Sequence, residues 1–203
     1  MAEATVDILL AAHRFWCGEL ASIEDYPADK AELWFERKDS TDEAIRDAFG
    51  GSLDAVAQKD WDLANLPREA QIGLVIFLDQ FPRNLFRADA RAFAFDARAR
   101  AIARELVAGG VARYCLIERV FLYLPFEHSE ALADQDLCVR LYEALLAEAP
   151  AEQREIYGNF LLYAQKHRDL IRRFGRFPHR NGDLGRASTP EEVAFLAENG
   201  RGY

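Results

Sequence analysis

Apolar positions along the chain recur at helical spacing. Ile156, Phe160, Tyr163, Ala164, His167, Ile171 and Phe174 step by three and four residues, which places them on one stripe of a long helix. Cys138, Leu141, Tyr142 and Leu145 repeat the spacing in the segment before it. No stretch alternates apolar and polar residues long enough for a half-buried strand. Ser40 with Glu43 and Thr189 with Glu192 have the spacing of capping boxes, Pro190 stands at a first helical position, and Pro67 opens a helix in the same way. Gly50-Gly51, Gly109-Gly110 and Pro150 supply breaks. The pattern predicts helices over about 5–17, 30–37, 40–49, 52–62, 67–80, 89–108, 112–123, 130–148, 151–174 and 190–199. Short connections favour antiparallel helical hairpins, and no linker or low-complexity tract divides residues 1–203. The expectation is a single all-α domain.

Three segments interrupt this pattern with the same chemical order, an aromatic or apolar residue, then proline, then polar groups. These are Asp79-Gln80-Phe81-Pro82-Arg83-Asn84, Leu124-Pro125-Phe126-Glu127-His128-Ser129 and Arg176-Phe177-Pro178-His179-Arg180-Asn181. The residue before a proline is pushed out of the α region, so each segment predicts a helix exit. One helix separates each consecutive pair. With alternating directions the three C-terminal ends meet at one pole, gathering Asp79, Gln80, Arg83, Asn84, Glu127, His128, His179, Arg180 and Asn181, where loops on a scaffold concentrate binding groups. A purely structural role competes with this: Arg, Asn and His cap helix C-termini, Asp79 pairs with Arg83, and Ser129 caps the next helix. His167 sits on an apolar stripe and points inward, one turn or so below the third exit.

Charge sharpens the picture. Residues 166–186 hold seven basic side chains against two acidic ones, in a chain of net charge −9. Arginine suits bidentate recognition of carboxylate or phosphate, and equally suits internal ion pairs. Arg83, Arg176 and Arg180 are therefore candidates to hold a small anionic ligand, with Asn84 and Asn181 orienting it and Gln80, His167 and His179 completing the binding set. His128 is the candidate general acid or base, oriented by Glu127 or Asp79, because an imidazole titrates near cellular pH. The competing function is a non-catalytic scaffold whose groove holds a peptide or protein partner.

Composition narrows the class. Half the residues are apolar, which excludes a disordered chain, and a pI near 5.0 excludes a general nucleic-acid partner. The apolar run Gly73–Leu78 is too short for a membrane span, and Glu3 and Asp7 stand where a secretory signal carries basic residues. Three cysteines without C-x-x-C spacing predict buried thiols in a reduced, cytoplasmic protein. No phosphate loop, dinucleotide fingerprint, metalloprotease motif or nucleophile elbow occurs, and no cofactor or metal is expected.

The exits also carry a family resemblance. Leu78-Asp79-Gln80-Phe81-Pro82-Arg83-Asn84, Phe121-Leu122-Tyr123-Leu124-Pro125-Phe126-Glu127-His128-Ser129-Glu130, His167-Arg168, and Arg173-Phe174-Gly175-Arg176-Phe177-Pro178-His179-Arg180-Asn181 resemble the bacterial domain-of-unknown-function family numbered 924. Leu184-Gly185-Arg186, Ser188-Thr189 and Phe15-Trp16 fit the same pattern. The resemblance spans essentially the whole chain. It implies an α/α superhelix similar to tetratricopeptide-repeat folds, although the sequence shows no 34-residue repeat. It implies no established activity.

Overall fold

In the computed structural model, which describes residues 4–200, ten α-helices and six short 3-10 turns form the secondary structure, and no strand occurs among the described residues. No helix there is long and apolar enough to cross a membrane. Contacts divide the chain into two units, one running to Arg87 and resuming over Arg91–Pro125, the other made of Ala88–Ala90 and the chain from Phe126 onward.

The first unit contains α1 (Val6–Cys17), α2 (Ala31–Phe35), α3 (Asp39–Phe49), α4 (Leu53–Gln58), α5 (Arg68–Leu85), α6 (Asp96–Ala108) and most of α7 (Leu116–Glu127). Every residue of α5 from Ala70 to Asp79 is buried, the signature of a core helix rather than an amphipathic surface one. It accepts α1 at very close range because Gly73 faces Leu9: a Cβ at Gly73 would lie 2.0 Å from the Leu9 carbonyl oxygen. Further along the same two helices, Trp16 meets Phe81 edge-on at 5.9 Å between centroids, so α1 and α5 run parallel. α7 is parallel to α1 as well, with Glu118 at His13 and Phe121 at Trp16. α3 runs opposite to α5, pairing Phe49 with Phe77 and Asp42 with Asn84.

The proline exits need correction. Pro82 and Pro125 both lie inside helices, α5 continuing to Leu85 and α7 to Glu127. Each stands in a final turn, and its missing N–H removes one bond, to the carbonyl four residues upstream at Leu78 or Phe121, which the helix bears without ending there. Phe81 is fully buried and stacks on Phe49 at 4.7 Å, which holds the preceding residue helical against its local preference. The capping box at Ser40 is also absent: α3 starts at Asp39 after Lys38, with no side-chain cap. The helices expected over 89–108 and 112–123 become a 3-10 turn at Ala90–Phe93 with α6, and a later-starting α7.

The second unit contains α8 (Leu132–Glu148), α9 (Arg154–Phe174) and α10 (Pro190–Asn199). α8 and α9 form an antiparallel hairpin: Tyr142 stacks near Phe160, and Asp136 near the start of α8 takes Arg172 near the end of α9. The buried face of α9 is Tyr157, Ala164, His167, Leu170 and Ile171. Tyr163, expected on that stripe, is 47% exposed, because the helix presents Leu170 and Tyr157 inward instead. α9 ends at Gly175, whose left-handed φ of 69° turns the chain and sends its N–H to Ile171. This glycine, three residues before Pro178, is the third exit. α10 has the expected capping box, Thr189 and Glu192 each capping the other, with Pro190 in its first turn.

Candidate functional site

The predicted site residues divide between the units. Asp79, Gln80, Arg83 and Asn84 belong to the first, and Glu127, His128, His167, Arg176, His179, Arg180 and Asn181 to the second.

In the first unit these groups bind one another. Arg83 donates to both carboxylate oxygens of Asp96 at 2.9 Å and to the Asp79 carbonyl at 2.6 Å, with the Asp79 carboxylate 3.5 Å away. Gln80 donates to Asp79 at 2.6 Å. Asn84 donates to Asp42 at 2.9 Å, and Arg87 donates to both oxygens of the same carboxylate. The arginine and asparagine of this segment thus tie α5 to α6 and α3.

Two predicted members of the second unit are also engaged internally. Arg176 forks onto Glu192 at 2.6 and 2.8 Å, and Asn181 donates to Glu192 and to Ser188. The Arg176 guanidinium, with the Thr189 N–H, pushes the Glu192 carboxyl down to about 2. The basic run over 166–186 behaves alike: Arg173 pairs with Glu191, Arg168 and Arg172 with Asp136, and Arg186 with Glu130.

The remaining residues converge around Phe177. His167 meets its ring edge-on at 5.5 Å, His179 lies 5.5 Å from it, and the Arg180 guanidinium sits over it at 4.4 Å. Arg180 donates to the His128 carbonyl at 2.9 Å. His167 Nδ1 lies 2.9 Å from the Tyr163 carbonyl oxygen and 3.1 Å from a carboxylate oxygen of Glu127. Burial pushes the His167 imidazole down to about 3, with the charges of His128, His179 and Arg180 adding to the effect, so the ring is neutral. Both neighbours of Nδ1 are acceptors, so that nitrogen carries the hydrogen and Nε2 keeps its lone pair. The arrangement joins an oriented imidazole to a carboxylate, the His179 imidazole and a guanidinium, with His128 near enough for its charge to act on His167.

A second imidazole–carboxylate pair, which the motifs did not point to, lies in the first unit. His13 Nε2 is 2.7 Å from Glu118, both side chains being buried. The other oxygen of Glu118 accepts from the Cys115 N–H at 2.7 Å, with Arg68 Nε 3.5 Å away. The signal was present in α1: His13 lies between Leu9, Ala12, Trp16 and Cys17, all buried. Its partner is 105 residues away, which no local pattern shows. Among the described residues, no group of three or more His, Cys, Asp and Glu side chains has the geometry of a metal site.

A family model for bacterial proteins of unknown function, DUF924, matches residues 12–200. The chain belongs to this family. A solved structure of a protein of unknown function from Agrobacterium tumefaciens is similar, with 34% sequence identity, a TM-score of 0.75, and coverage of 96% of this chain and 99% of that one. No curated protein matches the chain. The DUF924 chain's fold is therefore shared with a solved relative, and its chemistry rests on its own side chains.

Proposed function

We propose that this DUF924 protein binds a small anionic molecule in its second unit and transfers a proton there, with His167 as the accepting group. Glu127 and the Tyr163 carbonyl hold the ring, and His128, His179 and Arg180 supply the positive field that favours a carboxylate or phosphate. The observation that carries the reading is the pair of acceptors on His167 Nδ1, at 2.9 and 3.1 Å, which turn Nε2 into a base. His128 and His179 are the imidazoles that return the proton. An anion placed among these groups offsets the charges of His128, His179 and Arg180, which add to the burial that depresses His167. Asp79, Arg83 and Asn84 have no part in this reading: Arg83 is bound to Asp79 and Asp96, and Asn84 to Asp42. The buried free thiols fit a reducing, cytoplasmic setting.

Calorimetric titration with small dicarboxylates and phosphate monoesters tests the proposal. The expected ligand binds to the wild-type protein, and His167→Gln weakens it at least about tenfold, or roughly 1.4 kcal/mol. Equal binding by a folded His167→Gln protein removes the reading.

A second reading draws on a separate observation. Leu162 and Tyr163 on α9 are 44% and 47% exposed, an apolar face of the kind that helical hairpins in a tetratricopeptide-like superhelix offer to a peptide. Peptide capture abolished by Leu162→Asp and unaffected by His167→Gln would favour this scaffold function.

A further inference from the structure

The end of α7 presents a problem of hydrogen bonding. Its last carbonyls have no partners within the helix, and the turn that follows is buried at Ser129. Gln135, fully buried in the first turn of α8, meets this need. Its amide nitrogen donates to the Glu127 and Ser129 carbonyls at 2.6 Å each, with the Phe126 carbonyl farther off at 3.4 Å. Arg180 donates to the carbonyl between them, that of His128. Three consecutive carbonyls, 127 to 129, are thus held by side chains, and they belong to the segment that bears Glu127 and His128.

The amide nitrogen of Gln135 is used on several acceptors, while its oxygen is buried with no hydrogen-bond donor among the described residues. Leaving a buried acceptor unmet is unfavourable, and residues under selection for stability alone rarely do so. Only the donating end of this side chain has a structural task, and that task is to fix the backbone under Glu127.

We infer that Gln135 is a positioning residue for the Glu127–His167 pair, holding the Glu127 backbone so that the carboxylate stays against His167 Nδ1. The inference rests on the proposed role of His167 and adds the residue that sets its geometry. Without the amide, the 127–129 turn is released, Glu127 leaves Nδ1, and the imidazole redistributes its hydrogen between Nδ1 and Nε2.

Long-range 1H–15N spectra of the imidazoles test this in Gln135→Met, which keeps the length and removes the donors. Ser129→Ala serves as the control, because it deletes the Ser129 hydroxyl's bond to Asp134 in the same turn without touching the Glu127 carbonyl. The expected result is a mixed His167 tautomer in Gln135→Met, and the wild-type signature in Ser129→Ala even where its stability falls equally. A wild-type tautomer in Gln135→Met overturns the inference while leaving the role of His167 intact. An Nε2–H tautomer in the wild-type protein overturns both. Should Gln135→Met fail to fold, Gln135→Asn, which keeps a shorter amide, is expected to give an intermediate shift, and an unchanged spectrum overturns the inference.

Discussion

Adding one methyl group at Gly73 should unfasten α1 from α5, whereas the same change at Gly158 should strengthen α9. Both glycines lie inside helices, where replacement by alanine alone is favourable by about 0.5–1 kcal/mol. At Gly158 a new Cβ meets nothing within 4 Å, so that gain is realised. At Gly73 the Cβ would lie 2.0 Å from the Leu9 carbonyl oxygen and 2.8 Å from its carbon. Ordinary contact begins near 3.4 Å, so the two backbones must separate by more than an ångström. The obstacle is main chain, which no rotamer change relieves. Separation opens gaps around Leu9, Ala12 and Trp16, all buried in α1. Overpacking of a filled core costs about 1–3 kcal/mol even where side chains yield, so a net loss of about 2–4 kcal/mol is expected. For a chain of this size that is a fall in melting temperature of roughly 5–15 °C. Thermal and urea unfolding of the two variants beside wild type would decide the matter. Gly73→Ala within about 0.5 kcal/mol of wild type would refute the close approach of the helices.

Three further outcomes follow from the buried and paired groups. His13→Ala leaves Glu118 buried without its imidazole partner and should cost about 3–5 kcal/mol in urea unfolding, with the double change to a well-packed apolar pair recovering much of it. Glu192, held down to about 2 by Arg176 and Thr189, stabilises the fold above its ordinary value of 4.5, and that contribution is lost as pH falls from 4.5 toward 2; Glu192→Gln should flatten the acid limb of a pH–stability curve. Burial pushes the Cys115 thiol up to about 11 and the Cys17 and Cys138 thiols up as well, so native protein should resist thiol reagents at neutral pH and react only once unfolded.

The parts of the fold that local chemistry dictates were legible in the sequence. Helical spacing located the helices, although α5 runs past its expected end and α6 starts well after its expected beginning, and the Thr189–Glu192 box and Pro190 marked the start of α10. Local rules misled where tertiary packing overrode them. Pro82 reads as an exit, but Phe81 is clamped between Phe49 and Phe77, and the helix continues. The arginines of residues 166–186 read equally as ligand-binding or internally paired, because their partners lie far off: Glu130 is 56 positions from Arg186, and Asp136 is 36 from Arg172. Nothing local separates the two possibilities. His167 pointing inward was legible from its stripe, while its partner Glu127 was legible only as a polar residue after a proline. Gln135 carried no signal, since a glutamine in a first helical turn is usually solvated.

The proposed chemistry turns on which nitrogen of His167 holds the hydrogen. A long-range 1H–15N spectrum of the wild-type protein, followed from about pH 5 to pH 8, reads this directly. The expected result is an Nδ1–H tautomer whose shifts stay constant across that range, because burial keeps the ring neutral and the Tyr163 carbonyl and Glu127 hold the hydrogen. An Nε2–H tautomer, or a titration near the ordinary value of 6.5, would contradict it.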